Sequence, residues 1–395
     1  MTEKDFDVVC SKIEDKSDFL NSVSQEIWKM PELQYKEVQA HAVDFFETLL
    51  HANSEQSTVQ KRAEYCTKKG VGPTVAVLLE YDALPEIGHA CGHNLIAEAG
   101  LGAALAIKAA MEGDADLHGK LVVLGTPAEE GGGGKIRLLE LGAFDGIDVA
   151  MMVHPSPHSN IFPVTLCNVK YKIEFRGKEA HAGACPWEGR NALDAAVTCY
   201  QSIAQLRQHI KPSWRIQAII TKGGTVTNVI PSHTTMQVSL RTPTRGERSQ
   251  LQTRVEACLT SAASATGCEV QFQYDEANSY ENMVTNKTLG NLFKKYAHKL
   301  GQDPDLEEYK NFAFGSTDMG NVSHVLPSIH PFYPIPSEAV NHTTGFTDAS
   351  GSAHAQGPTL LVSKSLAMTA LEVYRSAQVL QDVKRDFEND MKDNL

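Results

Sequence analysis

Short apolar runs separated by helical stretches constrain the fold of this chain more than any other feature. An Ala-rich stretch from Leu95 to Met111 and a second from Lys135 to Leu141 alternate with the runs TVAVLLEYD, KLVVLGTPAEE and DVAMMVHP. Apolar strands joined by helical crossovers are typical of a parallel sheet that is covered on both faces. We therefore predict an α/β domain with a mostly parallel sheet.

A different pattern begins near Val169 and ends near Asn282. Its order of strand, helix, strand, strand, helix and strand is that of the ferredoxin-like split βαβ unit. We predict that residues 169–282 form an inserted α+β domain, and that residues 1–168 and 283–395 form the two parts of the catalytic domain.

The two ends of the chain are predicted to be largely helical. Apolar positions at helical spacing run from Ser22 to Leu50, and Pro31 is expected to break this run into two helices. After the inserted domain we expect the elements at Lys287 to Leu300 (helix), Ser328 to Tyr333 (strand) and Ser350 to about Val379 (helix).

Composition excludes several classes of protein. The net charge is -12 and no dense Lys/Arg block occurs, which argues against a nucleic-acid partner. The first twenty residues are charged and lack the apolar core of a secretory signal, and no membrane span is evident, so we expect a cytoplasmic protein, with the nucleoplasm as an alternative and secretion excluded. The eight cysteines are irregularly spaced and do not resemble a disulfide framework.

Polar residues of catalytic type stand at the ends of the predicted strands. In open parallel sheets ligands bind beyond the carboxyl ends of the strands. In the segment IGHACGHN, Cys91 and His93 are two residues apart, a spacing that places both side chains on one side of an extended backbone. The strand-end residues are Asp82, Glu129, Glu130 and His154.

Thiol, imidazole and carboxylate together are ligands of zinc and related ions. A lone Cys-x-His pair is more often a buried thiol and a hydrogen-bonded histidine, but Glu130 and His154 at strand ends favour a site for two metals bridged by the thiolate. The adjacent Glu129 and Glu130 point different ways in an extended segment, so one can ligate while the other acts as base. A nucleophilic Cys91 is the alternative, although it leaves the carboxylate pair unused.

The motifs of this chain resemble those of the metallopeptidases that include aminoacylase, bacterial glutamate carboxypeptidase and the plant auxin-conjugate amidohydrolases. The matching segments are MPELQYKE, EYDALP, GHACGHN, PAEEGGGG, VHP, GKEAHAG, GGTVTNVIP, GSTDMGNVS and NHTTGFT. This resemblance implies that Glu129 is the general base, that Asp82 orients a group of the site, and that Glu80 replaces a histidine ligand of many relatives. The metal ligands that it implies are Cys91, His93, Glu130, His154 and His342.

The inserted domain is similar to the lid and dimerisation domain of that family. The resemblance implies a homodimer in which His181 polarises the scissile carbonyl while Asn228 and Arg241 bind the polar end of the substrate. A guanidinium suits a carboxylate because it donates two parallel hydrogen bonds.

The subgroup that the motifs resemble implies hydrolysis of dipeptides with a basic C-terminal residue, such as β-alanyl-lysine, with Lys, Orn or Arg at that end. Two divalent ions are expected, zinc first and Mn or Co as alternatives. An N-acyl-amino-acid amidohydrolase and an inactive metal-binding adaptor are the rival functions. Asp318 and Glu338 are the acidic candidates for contacting a basic side chain.

Overall fold

A computed structural model describes residues 1–37, 55–56, 61–68, 70–274, 279–302 and 315–394 of the chain. The protein divides into two compact units. The first is built from residues 1–164 and 283–393, and the second from residues 165–282 and the end of the chain. Each unit has its own apolar core.

The first unit contains a six-stranded mixed sheet with the strand order β1-β2-β4-β3-β5-β11. Strands β4, β3, β5 and β11 run parallel, while β1 and β2 add an antiparallel edge. The predicted mostly parallel α/β sheet is therefore confirmed. The strands are β1 (Glu55–Gln56), β2 (Lys61–Cys66), β3 (Thr74–Glu80), β4 (Lys120–Thr126), β5 (Val149–Met151) and β11 (Ser328–Ile329).

Helices bury the apolar faces of this sheet. The central helix α3 (His93–Glu112) is buried along most of its length, because its Ala and Gly residues permit close packing against β3 and the helix at Ala353–Arg375. By length and composition α3 is apolar enough to cross a membrane, but 94% of its apolar window lies inside the fold. The other helices of the unit are α1 (Glu3–Asp15), α2 (Ser17–Lys29), α4 (Gly134–Glu140), α7 (Lys287–Lys299), α8 (Met319–Ser323), α9 (Thr344–Ser350), α10 (Ala353–Arg375) and α11 (Ala377–Asn394).

Two of the predicted strands are each divided in the structure. The run DVAMMVHP forms β5 and then β6 (His154–Ser156), and the run after Ser328 forms β11 and then β12 (Phe332–Pro334). Strands β6 and β12 pair with each other in a separate two-stranded parallel sheet. The chain leaves the main sheet at both places, so the residues beyond β5 and β11 lie past the edge of its parallel strands.

The helical ends also differ from the prediction. Helix α2 ends at Lys29, just before Pro31, but the predicted continuation toward Leu50 lies outside the described residues. The long terminal helix is interrupted at Ser376, whose extended backbone (φ -135°, ψ 109°) separates α10 from α11.

The second unit is a four-stranded antiparallel sheet with two helices, which is the predicted ferredoxin-like arrangement. The strand order is β10-β7-β9-β8. Burial alternates along β7 and β9, because one face of the sheet packs on the helices and the other does not. The elements are β7 (Cys167–Arg176), α5 (Ala192–Leu206), β8 (Arg215–Lys222), β9 (His233–Thr242), α6 (Arg245–Thr266) and β10 (Glu269–Tyr274).

Candidate metal centre

Cys91 and His93 are brought together by a turn, not by the extended segment that their spacing predicted. Gly92 has a left-handed backbone (φ +76°) and is the N-cap residue that precedes α3. A Cβ at this position would lie 2.6 Å from Cγ of Pro155. Glycine is therefore required here both for the turn and for the close approach of β6.

The Cys91 thiol is shared by two groups of potential ligands. Its Sγ lies 3.4 Å from Nε2 of His154. In the first group, the ligand atoms of Cys91, His93 and His154 lie within 4.8 Å of one another, and in the second those of Cys91, Glu130 and His342 do the same. The five residues predicted as metal ligands thus form two adjoining sets with one sulfur in common.

Hydrogen bonds fix the orientation of the two buried imidazoles. Nδ1 of His93 donates to a carboxylate oxygen of Asp82 at 2.9 Å, and Nδ1 of His154 lies 2.8 Å from the backbone carbonyl of Pro155. Because the Nδ1 atoms are used in this way, Nε2 is the nitrogen of each ring that remains for an ion. Both rings belong to the set of Cys91, His93 and His154.

Several buried polar atoms at the site have no hydrogen-bond partner among the described residues. They include Nε2 of His93 and Oε2 of Glu80. Buried polar atoms are rarely left unsatisfied, because desolvation without a new partner is costly. A thiol, three imidazoles and a carboxylate are the donor types that zinc prefers, so the residues present fit divalent ions.

His342 reaches the site from a loop beyond β12. Its backbone is left-handed (φ +67°), and its N–H donates to the carbonyl of Ala90 at 2.8 Å. Nε2 of His342 lies 3.4 Å from Oε1 of Glu130, and the side chain is 56% exposed. The preceding Asn341 donates from Nδ2 to the carbonyl of Pro155 at 3.1 Å. These contacts hold the loop against the Cys91 turn.

Glu129 and Glu130 lie in a tight turn after β4, whereas an extended segment was predicted. Ala128 before them has a left-handed backbone (φ +57°). Glu129 is buried, and its carboxylate lies within 4.8 Å of the ligand atoms of His93 and Glu130. Burial, followed by the charges of Glu80 and Glu130, raises the pKa of Glu129 well above its ordinary value. A carboxylate with a raised pKa accepts a proton more readily than a free glutamate does.

A buried cluster of charged side chains beside Glu129 was not predicted from the sequence. Nζ of Lys135 donates to Glu80 and, at 2.8 Å, to Oδ1 of Asp318, and all three side chains are fully buried. Burial raises the pKa of Glu80, but the charges of Lys135 and His93 outweigh this effect and lower it to about 2. Asp318 is thereby removed as a candidate for binding a basic substrate side chain, whereas Glu338 is exposed.

The residues predicted in the second unit lie on two loops and a strand. Nδ1 of His181 accepts hydrogen bonds from the N–H groups of Gly183 and Ala184, both at 3.2 Å, which leaves Nε2–H as the donor of the neutral ring. The backbone carbonyl of Asn228 accepts from Ala182, so the two loops are paired. Arg241 lies near the end of β9, where burial lowers its pKa.

The comparisons with known proteins agree with the motifs and the fold. Residues 168–266 match the model of the peptidase dimerisation domain. The Xaa-Arg dipeptidase of Mus musculus is 44% identical over 392 residues, covering 95% of this chain and 90% of that protein. The Xaa-Arg dipeptidase of Homo sapiens is 42% identical over 393 residues, again with 95% and 90% covered.

Among solved structures, a dinuclear metal-binding peptidase of Bacillus subtilis has the same fold. It superposes with a TM-score of 0.72 and 18% identity, covering 92% of this chain and 99% of that one. The family resemblance of the motifs is thus confirmed. Because both dipeptidases match along nearly the whole sequence, this chain belongs to the metallopeptidase family that contains the Xaa-Arg dipeptidases.

Proposed function

We propose that this chain is a two-metal dipeptidase that hydrolyses dipeptides with a basic C-terminal residue, of the β-alanyl-lysine type. The observation that carries the proposal is the single thiol of Cys91 shared by two ligand sets, with the buried carboxylate of Glu129 beside them. The name of the two mammalian relatives, Xaa-Arg dipeptidase, supports a basic C-terminal residue, and the resemblance of the motifs supports the β-alanyl-lysine type.

The residues divide into two proposed ligand sets. Cys91, His93 and His154 would hold one ion, and Cys91, Glu130 and His342 the other. Thiolate and imidazole favour zinc, with Mn or Co as alternatives. When bound, such ions supply Lewis acidity toward the scissile carbonyl and toward water.

The side chains of the chain itself then move the protons. Glu129 takes a proton from the attacking water as its oxygen bonds to the carbonyl carbon. It passes that proton to the leaving nitrogen as the C–N bond breaks. In the proposed homodimer, Nε2–H of His181 donates to the carbonyl oxygen, which becomes negative in the transition state. Asn228 and Arg241 bind the substrate carboxylate.

The raised pKa of the Cys91 thiol argues against the nucleophile alternative. Burial and the charge of Glu130 raise this pKa well above its ordinary value. A thiol nucleophile needs a lowered pKa, whereas the thiol of a metal ligand would release its proton to solvent when an ion binds.

The substitution Glu129→Gln tests the proposal. It should lower the turnover of β-alanyl-lysine by about 100-fold or more, the usual scale of a general base, while bound zinc measured by mass spectrometry stays unchanged. Glu140→Gln is the matched control, because Glu140 is an exposed glutamate on α4. A Glu129→Gln enzyme with more than about a tenth of wild-type turnover would refute the role of Glu129.

A substrate panel separates the rival functions. Purified protein loaded with Zn²⁺ or Mn²⁺ is assayed on β-alanyl-lysine, β-alanyl-norleucine and N-acetyl-lysine. Preference for the first supports the basic dipeptidase, and preference for the third identifies an N-acyl-amino-acid amidohydrolase. Folded, metal-loaded protein without turnover on any substrate indicates an inactive adaptor.

A further inference from the structure

Lys135 is a fully buried lysine whose ammonium group is held by two carboxylates. Nζ donates to Glu80 and to Oδ1 of Asp318, and the backbone N–H of Lys135 donates to Oδ2 of the same aspartate at 2.8 Å. Both oxygens of Asp318 are thereby engaged by one residue. A buried lysine is stable only when its charge is paired in this way.

A third carboxylate, that of Glu129, lies beside the two that pair with this ammonium group. Oxygen atoms of Glu80, Glu129 and Asp318 lie within 4.8 Å of one another, and all three residues are buried. Three carboxylates at this spacing, removed from water, repel one another strongly unless a cation lies among them. The spacing of their oxygens is also that of a divalent-cation site.

Glu129 belongs to this group and to the metal centre at once. Its carboxylate also lies within 4.8 Å of the ligand atoms of His93 and Glu130. The position of the proposed base therefore depends on what neutralises Glu80 and Asp318 behind it.

We propose that Lys135 is a positioning residue whose ammonium group takes the place of a third divalent cation among Glu80, Glu129 and Asp318, and so holds Glu129 at the metal centre. The role in turnover rests on the function proposed above, whereas the cation-binding property of the three carboxylates does not. A lysine gives the fold a permanent charge at this point, which no change in metal supply can remove.

Two substitutions of Lys135 distinguish the effect of its charge from the effect of its side-chain volume. Lys135→Ala removes the charge and opens room among the carboxylates, whereas Lys135→Met removes the charge and fills most of the room. After loading with Zn²⁺, each protein is titrated with Mn²⁺, and bound Mn²⁺ is counted by electron paramagnetic resonance. Oxygen ligands suit Mn²⁺, so Lys135→Ala should bind one equivalent more than wild type. Lys135→Met should bind the same number of equivalents as wild type.

Turnover supplies the second measurement. Lys135→Met should lower kcat by about 10-fold or more, within the range of a mispositioned general base, with KM within about threefold of wild type. Millimolar Mn²⁺ should restore part of the activity in Lys135→Ala but not in Lys135→Met. Lys68→Met, at an exposed lysine, is the control for loss of a positive charge.

Three results would overturn the proposal. They are wild-type kcat in Lys135→Met, an unchanged Mn²⁺ count in folded Lys135→Ala, and an extra equivalent that persists in Lys135→Ala/Asp318→Asn. If Lys135→Ala does not fold, Asp318→Asn alone serves instead, because it loosens the ammonium group while Lys135 stays in place. Asp318→Asn should lower kcat and leave KM unchanged, and a wild-type kcat in this variant would contradict the positioning role of Lys135. The Mn²⁺ count needs no substrate, so it remains decisive even if dipeptides are not hydrolysed.

Discussion

Asp82 joins the two metal-binding segments through a single carboxylate. One oxygen accepts from Nδ1 of His93 at 2.9 Å, and the other accepts from the backbone N–H of Glu130 at 2.9 Å. The ring of His93 and the turn of Glu130 are thus fixed with respect to each other by one protein group.

Replacing Asp82 with Asn should weaken metal binding by about 10- to 100-fold, the usual effect of removing the partner of a ligating histidine. The amide that replaces the carboxylate no longer selects the His93 tautomer whose Nε2 can bind an ion. Competition with a chelator of known affinity measures the change, and Asp116→Asn, at an exposed aspartate, is the control. Unchanged affinity in Asp82→Asn would show that His93 needs no orientation by this group.

Cys91→Ser should remove both ions, because the same sulfur belongs to both ligand sets. In Co²⁺-loaded protein the thiolate absorption band should disappear, while Cys66→Ser, at an exposed cysteine, should keep it. A Cys91→Ser protein that binds two ions yet has no turnover would instead favour the nucleophile alternative.

Gly92→Ala should destabilise the protein more than Gly70→Ala, although both glycines have φ +76°. The strain of a positive φ costs about 1 kcal/mol at either site. At Gly92 the new Cβ also meets Pro155, and overpacking adds about 1–3 kcal/mol, whereas no atom of the described residues lies within 4 Å at Gly70. Denaturant unfolding measures the difference, and equal losses would contradict the proposed close contact.

Glu98, buried in α3, should make stability depend on pH. Burial raises its pKa to about 7, from 4.5. The protonated Glu98 side chain makes its full contribution to stability below its pKa in the unfolded chain. That contribution is lost as the pH rises through its pKa in the folded protein, about 7. Between pH 5 and 8 the unfolding free energy of wild type should therefore fall by about 2 kcal/mol relative to Glu98→Gln. Parallel pH profiles for the two proteins would exclude this effect.

The fold was predictable where burial imposes a period on the sequence. The strands at Thr74–Glu80 and Lys120–Thr126 and the helix after Cys91 follow from such periods. The division of DVAMMVHP into two strands could not be predicted in this way, because an unbroken apolar run contains no residue pattern that shows where the chain leaves one sheet for another.

The site was predictable in part for a similar reason. Glu130 and His154 follow strands whose ends converge, but His342 stands on a loop without periodicity, and only the family resemblance indicated it. The pair of Lys135 and Asp318 is separated by 183 residues, and a lysine after four glycines has the appearance of an exposed charge. Contacts at such separations are set by the packed structure and leave no local signal.

Strand β11 pairs with β5, although the whole second unit lies between them in the sequence. During synthesis, residues 1–164 leave the ribosome before this edge of the sheet exists and before His342 has been made. A nascent chain thus carries the Cys91 thiol with an incomplete set of partners for most of its translation. For the proposed two-metal enzyme, acquisition of both ions is therefore expected to be a late step of biogenesis, and fragments that stop short of residue 342 are expected to emerge without a closed metal centre.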